Sequence, residues 1–241
     1  MIYDYLRLNY LNYYIIINRM SKYNIYIICK SEDIFFKKSE DFKTMKSKIC
    51  HIQWIPAEYL KLTQCNKNLL KKLNTRHNTK DKSIIAKLGC IAAHRKALLA
   101  IYSNQTNNNL ILEEDATLTG KLPPVPKDTC YMGGWIIPPQ ITKAEKVKVN
   151  VSPKKGLNQI DYDKFKVLTT HSLFIKTHEE SIELLESLIK PESLKNYDVQ
   201  LADMEYFKFY YYPPLFVQSD HKSEIDNAKN KNYLRTQKYG L

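Results

Sequence analysis

Apolar positions along the chain change their period several times, and each change marks an element. "NIYIICK" (Asn24–Lys30) is a run of β-branched and aromatic residues, and "HIQWIPA" (His51–Ala57) is a second run, stopped by Pro56. Short apolar runs bounded by turn residues predict buried strands. Between them, "SEDIFFKKSEDFKTMKSK" sets Ile34, Phe35, Phe42 and Met45 among charges, a pattern expected of an amphipathic crossover helix with Ser31 as its N-cap. A strand–helix–strand unit of this kind places its two strands in parallel.

From Ser83 to Tyr102, Ile84, Leu88, Ile91, Leu98 and Tyr102 recur at roughly helical spacing, and Ala92, Ala93, Ala97 and Ala100 permit close packing. A polar turn, "SNQTNNN", then leads into "LILEEDATL", a third strand that ends in acids. Downstream, "TCYMGGWIIPP" predicts a strand entering a glycine turn, and "FKVLTTHSLFIKT" predicts one more strand. "HEESIELLESLIK" predicts a helix with Ile182, Leu185 and Ile189 on one face, "NYDVQLADMEYFK" a further helix, and "FYYYPPLFVQ" an extended aromatic run. Strands alternating with helices predict an α/β domain.

Composition narrows this picture only in places. The 241 residues, 44% hydrophobic, can bury one sizeable α/β core, and no internal repeat divides them. The expected organisation is a leader over 1–19, a single domain over 20–225 and a basic tail over 226–241. A net charge of +12 suits a polyanionic partner, but the abundance of Lys, Asn, Ile and Tyr also reads as base bias in the coding sequence. Five cysteines with no CxxC pair indicate neither a zinc ribbon nor a closed disulfide framework. The opening apolar run is too short and too rich in Tyr and Asn to span a bilayer, so a soluble, cytoplasmic protein is expected. The basic stretch 66–82 is expected to form a surface loop suited to a lid.

The acids after the third strand carry the candidate chemistry. Residues i and i+2 of a strand project to the same side, so Glu113 and Asp115 are expected to present two carboxylates together while Glu114 points away. Paired carboxylates suit a hard divalent cation, Mn²⁺ or Mg²⁺, which takes oxygen ligands and keeps positions open for phosphate.

"KLGCIAAHRKALLAIYSNQTNNNLILEEDATL" resembles, in order and spacing, the central signature of glycosyltransferase family 25, which includes lipopolysaccharide and collagen hydroxylysine galactosyltransferases. The matching positions are Gly89, Cys90, Ala93 and His94, then Glu113, Glu114 and Asp115. The resemblance continues through "YMGGW", "TTHSLFI", "YDVQLAD" and "YYYPPLFVQSDHKSEID", covering roughly residues 22 to 226. It departs from the family where "KSEDIFFKKSED" replaces an Arg-rich segment and where Glu114 replaces the more usual Asp. Chains of this composition resembling the family also occur in large DNA viruses.

The resemblance implies a GT-A-type, Rossmann-like nucleotide-diphospho-sugar transferase fold with a mostly parallel central sheet and the donor at the strands' carboxyl ends. It implies an inverting transfer of a hexose, galactose or glucose, from a UDP-sugar to a hydroxyl of a glycan or hydroxylysine-type protein acceptor. Glu113 and Asp115, joined by His221, are the implied metal ligands. Lys30, Ala57, His94, Arg95 and Glu114 are the implied donor contacts, and Gly133, Gly134 and Trp135 the acceptor contacts. Asp198 is the first candidate for general base and Asp203 the second. Two rival readings remain: a degenerate member of the same fold acting as a scaffold, and a basic module using its aromatics to stack nucleic-acid bases. The acid pair at a strand end disfavours the second.

Overall fold

The computed structural model describes residues 22–57, 81–139, 151–188 and 196–219. The expected leader and tail, His221, Ile189 and nearly all of the basic stretch 66–82 lie outside these residues. The expected parallel pair is present: β1 (Tyr23–Cys29) lies beside β2 (Ile49–Pro56), with Tyr26 opposite Gln53 and Cys29 opposite Pro56. The connection is α1 (Glu32–Glu40), capped by Ser31, whose side chain accepts a hydrogen bond from the Ile34 N–H, followed by a 3₁₀ turn over Lys43–Lys48.

The long helix, α2, spans Asp81–Ser103 and feeds β3 (Asn109–Glu113), which runs parallel to β1 with Ile28 opposite Glu113. The buried stripe of α2 matches the expected one in part: Leu98 and the close-packing Ala93 and Ala97 are buried, and Ile91 packs against the core. Ala93, His94, Ala97, Leu98 and Ile101 face the core, and Tyr102 is exposed. The alanines explain the difference, because small side chains let the helix approach the sheet closely while the bulkier Tyr102 stays outside.

The remaining elements are short: β4 (Ala116–Leu118), β5 (Cys130–Tyr131), β6 (Trp135–Ile137), β7 (Gly156–Gln159), β8 (Lys166–Leu168), β9 (Ser172–Ile175), α3 (His178–Ser187), α4 (Tyr197–Asp203), β10 (Phe209–Tyr212) and β11 (Phe216–Gln218). The central sheet has seven strands in the order β2-β1-β3-β9-β5-β10-β7, and two-stranded pairs β11-β4 and β6-β8 flank it. Strands β2, β1, β3, β5 and β10 run one way; β9 and β7 run against them. The architecture is therefore α/β with a mostly parallel central sheet flanked by helices.

Three expected elements prove composite. "FKVLTTHSLFIKT" is two strands in different sheets, β8 and β9, separated by the Thr169–His171 turn. "TCYMGGWIIPP" likewise divides into β5 and β6, and "FYYYPPLFVQ" into β10 and β11. The last predicted helix stops at Asp203, and on α3 the core-facing residues are Ser181, Leu184 and Leu185, with Ile182 only half-buried.

Side-chain alternation along β1 divides the core between the two sheet faces. Tyr26 and Ile28 join Ile111, Tyr131, Leu173, α2, α3 and α4 on one face. Tyr23, Ile25, Ile27 and Cys29 join Leu110, Leu112, Phe174 and Phe42 on the other. Among the described residues, no helix is long and apolar enough to cross a membrane.

Candidate functional site

The ends of β1, β2 and β3 meet at one edge of the sheet. The Ala57 N–H donates to the Cys29 carbonyl at 3.0 Å, and the Glu113 N–H donates to the His171 carbonyl at 3.0 Å. This edge therefore collects Lys30, Ala57, the acidic triplet and the start of β9.

The triplet does not continue the strand. β3 stops at Glu113, and Glu114 and Asp115 form a turn into β4. Each acid consequently faces a different neighbour. Glu113 Oε1 lies 2.8 Å from Nε2 of His94, a residue only 1% exposed on α2 whose ring sits 4.6 Å from that of Tyr197. Glu114 turns to the β1 end, accepting from the Lys30 N–H at 3.1 Å and pairing with Lys30 Nζ at 3.6 Å. Asp115 Oδ2 accepts from Gln218 Nε2 of β11 at 2.8 Å, while its buried Oδ1 has no hydrogen-bond partner among the described residues.

These neighbours give the two outer carboxylates opposite protonation behaviour. Burial pushes the Glu113 carboxyl up, but the hydrogen bond and electrostatic attraction of His94, the Thr170 hydroxyl and His171 outweigh it and hold the group below the usual carboxylate range. Asp115 is pushed up to about 7 by burial and by the charge of Glu113; Gln218 and Lys38 oppose this only in part. Lys38 donates from Nζ to the Ala116 carbonyl at 2.7 Å, and burial lowers its pKa.

Glu113 and Asp115, although turned to different neighbours, supply oxygen donors near enough to each other for the charge of Glu113 to raise the Asp115 carboxyl. Two mutually repelling carboxylates, one with an orphaned buried oxygen, are what a hard cation would satisfy. A second donor set overlaps this pair: Cys90, His94 and Glu113 bring a sulfur, a nitrogen and an oxygen within 4.8 Å of one another.

Asp198 belongs to the same neighbourhood. Its Oδ1 accepts from the Val199 N–H at 2.8 Å, and its pKa is raised by burial and by Glu113, against the lowering effect of that hydrogen bond and of Lys87. Asp203 is instead engaged by Lys166 Nζ at 2.8 Å. Arg95 is turned to solvent, one position beyond the buried His94.

Gly133 and Gly134 have packing reasons of their own. A Cβ on Gly133 would stand 2.4 Å from the Phe216 carbonyl oxygen and 2.6 Å from His171 Nε2, and Gly134 adopts φ +107°. Trp135 is half-buried in β6, opposite Leu168.

The structure adds four residues that sequence reasoning did not select: Cys90 as a donor, Thr170, His171 and Gln218. Thr170 lies beside both Cys90 and Glu113, and its hydroxyl favours the charged form of each against their burial. His171, fully buried, binds Thr169 Oγ1 through Nδ1 at 2.6 Å and the Phe216 carbonyl through Nε2 at 3.2 Å, and burial lowers its pKa. Cys90 alone carried a local signal, its four-residue helical offset from His94. No model of a known protein family matches the chain, and no curated protein matches it.

Proposed function

We propose that the chain is a divalent-cation-dependent inverting glycosyltransferase of GT-A type that moves a hexose from a UDP-sugar to an acceptor hydroxyl on a glycan or protein. The observation that carries this reading is that Glu113 and Asp115 lie two residues apart at the carboxyl end of β3, near enough for the charge of Glu113 to raise the Asp115 carboxyl, with the buried Asp115 Oδ1 lacking a hydrogen-bond partner among the described residues. Sheets of this type bind nucleotides outside the carboxyl ends of their strands, and the resemblance described above places its acidic triplet at the same residues.

In this reading Glu113 and Asp115 hold Mn²⁺ or Mg²⁺, which when bound neutralises charge on the departing diphosphate. Lys30, braced by Glu114, faces the phosphates. Asp198 Oδ2 takes the acceptor hydroxyl's proton as the acceptor oxygen bonds to the anomeric carbon and the sugar–phosphate bond breaks, with UDP leaving. A carboxylate raised by burial is a stronger base than an exposed one, which suits the role. His94 orients Glu113.

Titration of UDP by calorimetry, with Mn²⁺ and with EDTA, tests the reading. Mn²⁺-dependent binding is expected in the wild type and is expected to be lost in Asp115→Asn, a variant that leaves the His94–Glu113 contact untouched. Absence of UDP binding by the wild type with either metal would overturn the reading and favour a scaffold of the same fold. Salt-sensitive retention on single-stranded DNA in its place would favour the basic-module alternative.

A further inference from the structure

We propose that Cys90, His94 and Glu113 form a thiolate-containing cation site of the Zn²⁺ class, chemically distinct from the all-carboxylate pair and sharing Glu113 with it. Cys90 and His94 are four residues apart on α2, so their side chains stack on one helical face, and β3 presents Glu113 opposite them. Their donor atoms lie within 4.8 Å of one another. Bonds of about 2.0–2.3 Å in a tetrahedral zinc site set ligand atoms roughly 3.5 Å apart, a gap that side-chain rotation closes.

A second observation points to a ligand here. His94 Nδ1 is buried and has no hydrogen-bond partner among the described residues, although the residue is only 1% exposed. A buried polar nitrogen left unmatched is costly, and a cation bound at Nδ1 would satisfy it while Nε2 keeps its contact with Glu113. The hydroxyl of Thr170, which lies beside both Cys90 and Glu113, is placed to give the outer support that orients metal ligands. Sulfur and imidazole donors select Zn²⁺ or Co²⁺ over the harder Mn²⁺ and Mg²⁺. Three protein ligands leave a fourth position for water or a small anion.

The inference stands whether or not the chain transfers sugar. Where it does, Glu113 belongs to both ligand sets, so Zn²⁺ competes with Mn²⁺-supported UDP binding.

The test is titration of Co²⁺ into the full chain, followed by the thiolate-to-cobalt charge-transfer absorption. One equivalent is expected to develop the band, Zn²⁺ to bleach it, and binding to release protons because the thiolate is the ligand. Cys90→Ala is expected to abolish the band, with the near-isosteric Cys90→Ser as a check on folding by near-ultraviolet circular dichroism. The band is expected to survive Cys50→Ala, which removes an exposed cysteine, and Asp115→Asn. Changing the outer support by Thr170→Val is expected to weaken Co²⁺ about tenfold or more. No band in the wild type, or an undiminished band in Cys90→Ala, overturns the proposal. A normal cobalt band without Mn²⁺-dependent UDP binding overturns the transferase reading alone, and the reverse pattern overturns the zinc site alone.

Discussion

The two sides of the β3 terminus, one facing α2 and the other facing β11, carry carboxylates only two residues apart and treat them in opposite ways. On the α2 side, Glu113 meets His94 and Thr170 and is held ionised although burial works against it. On the β11 side, Asp115 has the Gln218 amide on one oxygen and, among the described residues, no hydrogen-bond partner on the other, and burial with the charge of Glu113 raises its pKa to about 7. Burial is common to both. Partners decide which proton stays, and the carboxylate that lacks them is the one a cation would stabilise most.

The largest expected effect comes from removing the partner on the α2 side. His94→Ala leaves the Glu113 carboxylate without its 2.8 Å contact and opens space beside Tyr197, so a loss of about 3–5 kcal/mol is expected in denaturant unfolding. His94→Gln, which can still donate to Glu113, is expected to recover part of it. Equal stability of His94→Ala and the wild type would erase the difference between the two sides.

The next effect is a pH dependence arising from Asp115 in metal-free buffer. Its folded pKa of about 7 lies above the unfolded value of 3.8, so between those limits the folded state binds more protons. Stability from this group is therefore fully present below about pH 4, falls as pH rises towards 7, and levels off above, by up to about 4 kcal/mol in all. Asp115→Asn is expected to flatten that part of the melting-temperature profile and to be the more stable protein at pH 8. A wild-type profile that rises with pH over the same window would contradict the raised pKa.

The smallest effect marks the edge of the comparison. Glu114 makes a half-exposed pair with Lys30 at 3.6 Å and one hydrogen bond to its backbone, so Glu114→Ala is expected to cost under about 1 kcal/mol and to leave the pH profile of Asp115 nearly unchanged. Loss of more than twice that in thermal unfolding would show that the β1 end depends on the turn.

Local patterns made the first half of the fold readable. β1, α1 with its Ser31 cap, β2, α2 and β3 are continuous in sequence, and their apolar periods are long enough to identify. The second half was less readable, because β5, β8, β9 and β11 are two to four residues each and their pairing partners lie far away in sequence. Runs such as "FKVLTTHSLFIKT" look like one strand until a turn sends its two halves to different sheets.

The candidate site divides in the same way. Sequence alone determined that acids follow a buried strand, that a histidine lies on the preceding helix, and that an aspartate lies in a later helix, because these depend on residues close along the chain. It did not determine which acid meets which neighbour. The strand ends at Glu113, so the alternation expected to pair Glu113 with Asp115 and turn Glu114 away stops before it reaches the other two. That Glu113 is claimed by His94, Glu114 by Lys30 and Asp115 by Gln218, 103 residues distant, was decided only by tertiary packing, since long-range contacts and burial set protonation and leave no period in the sequence.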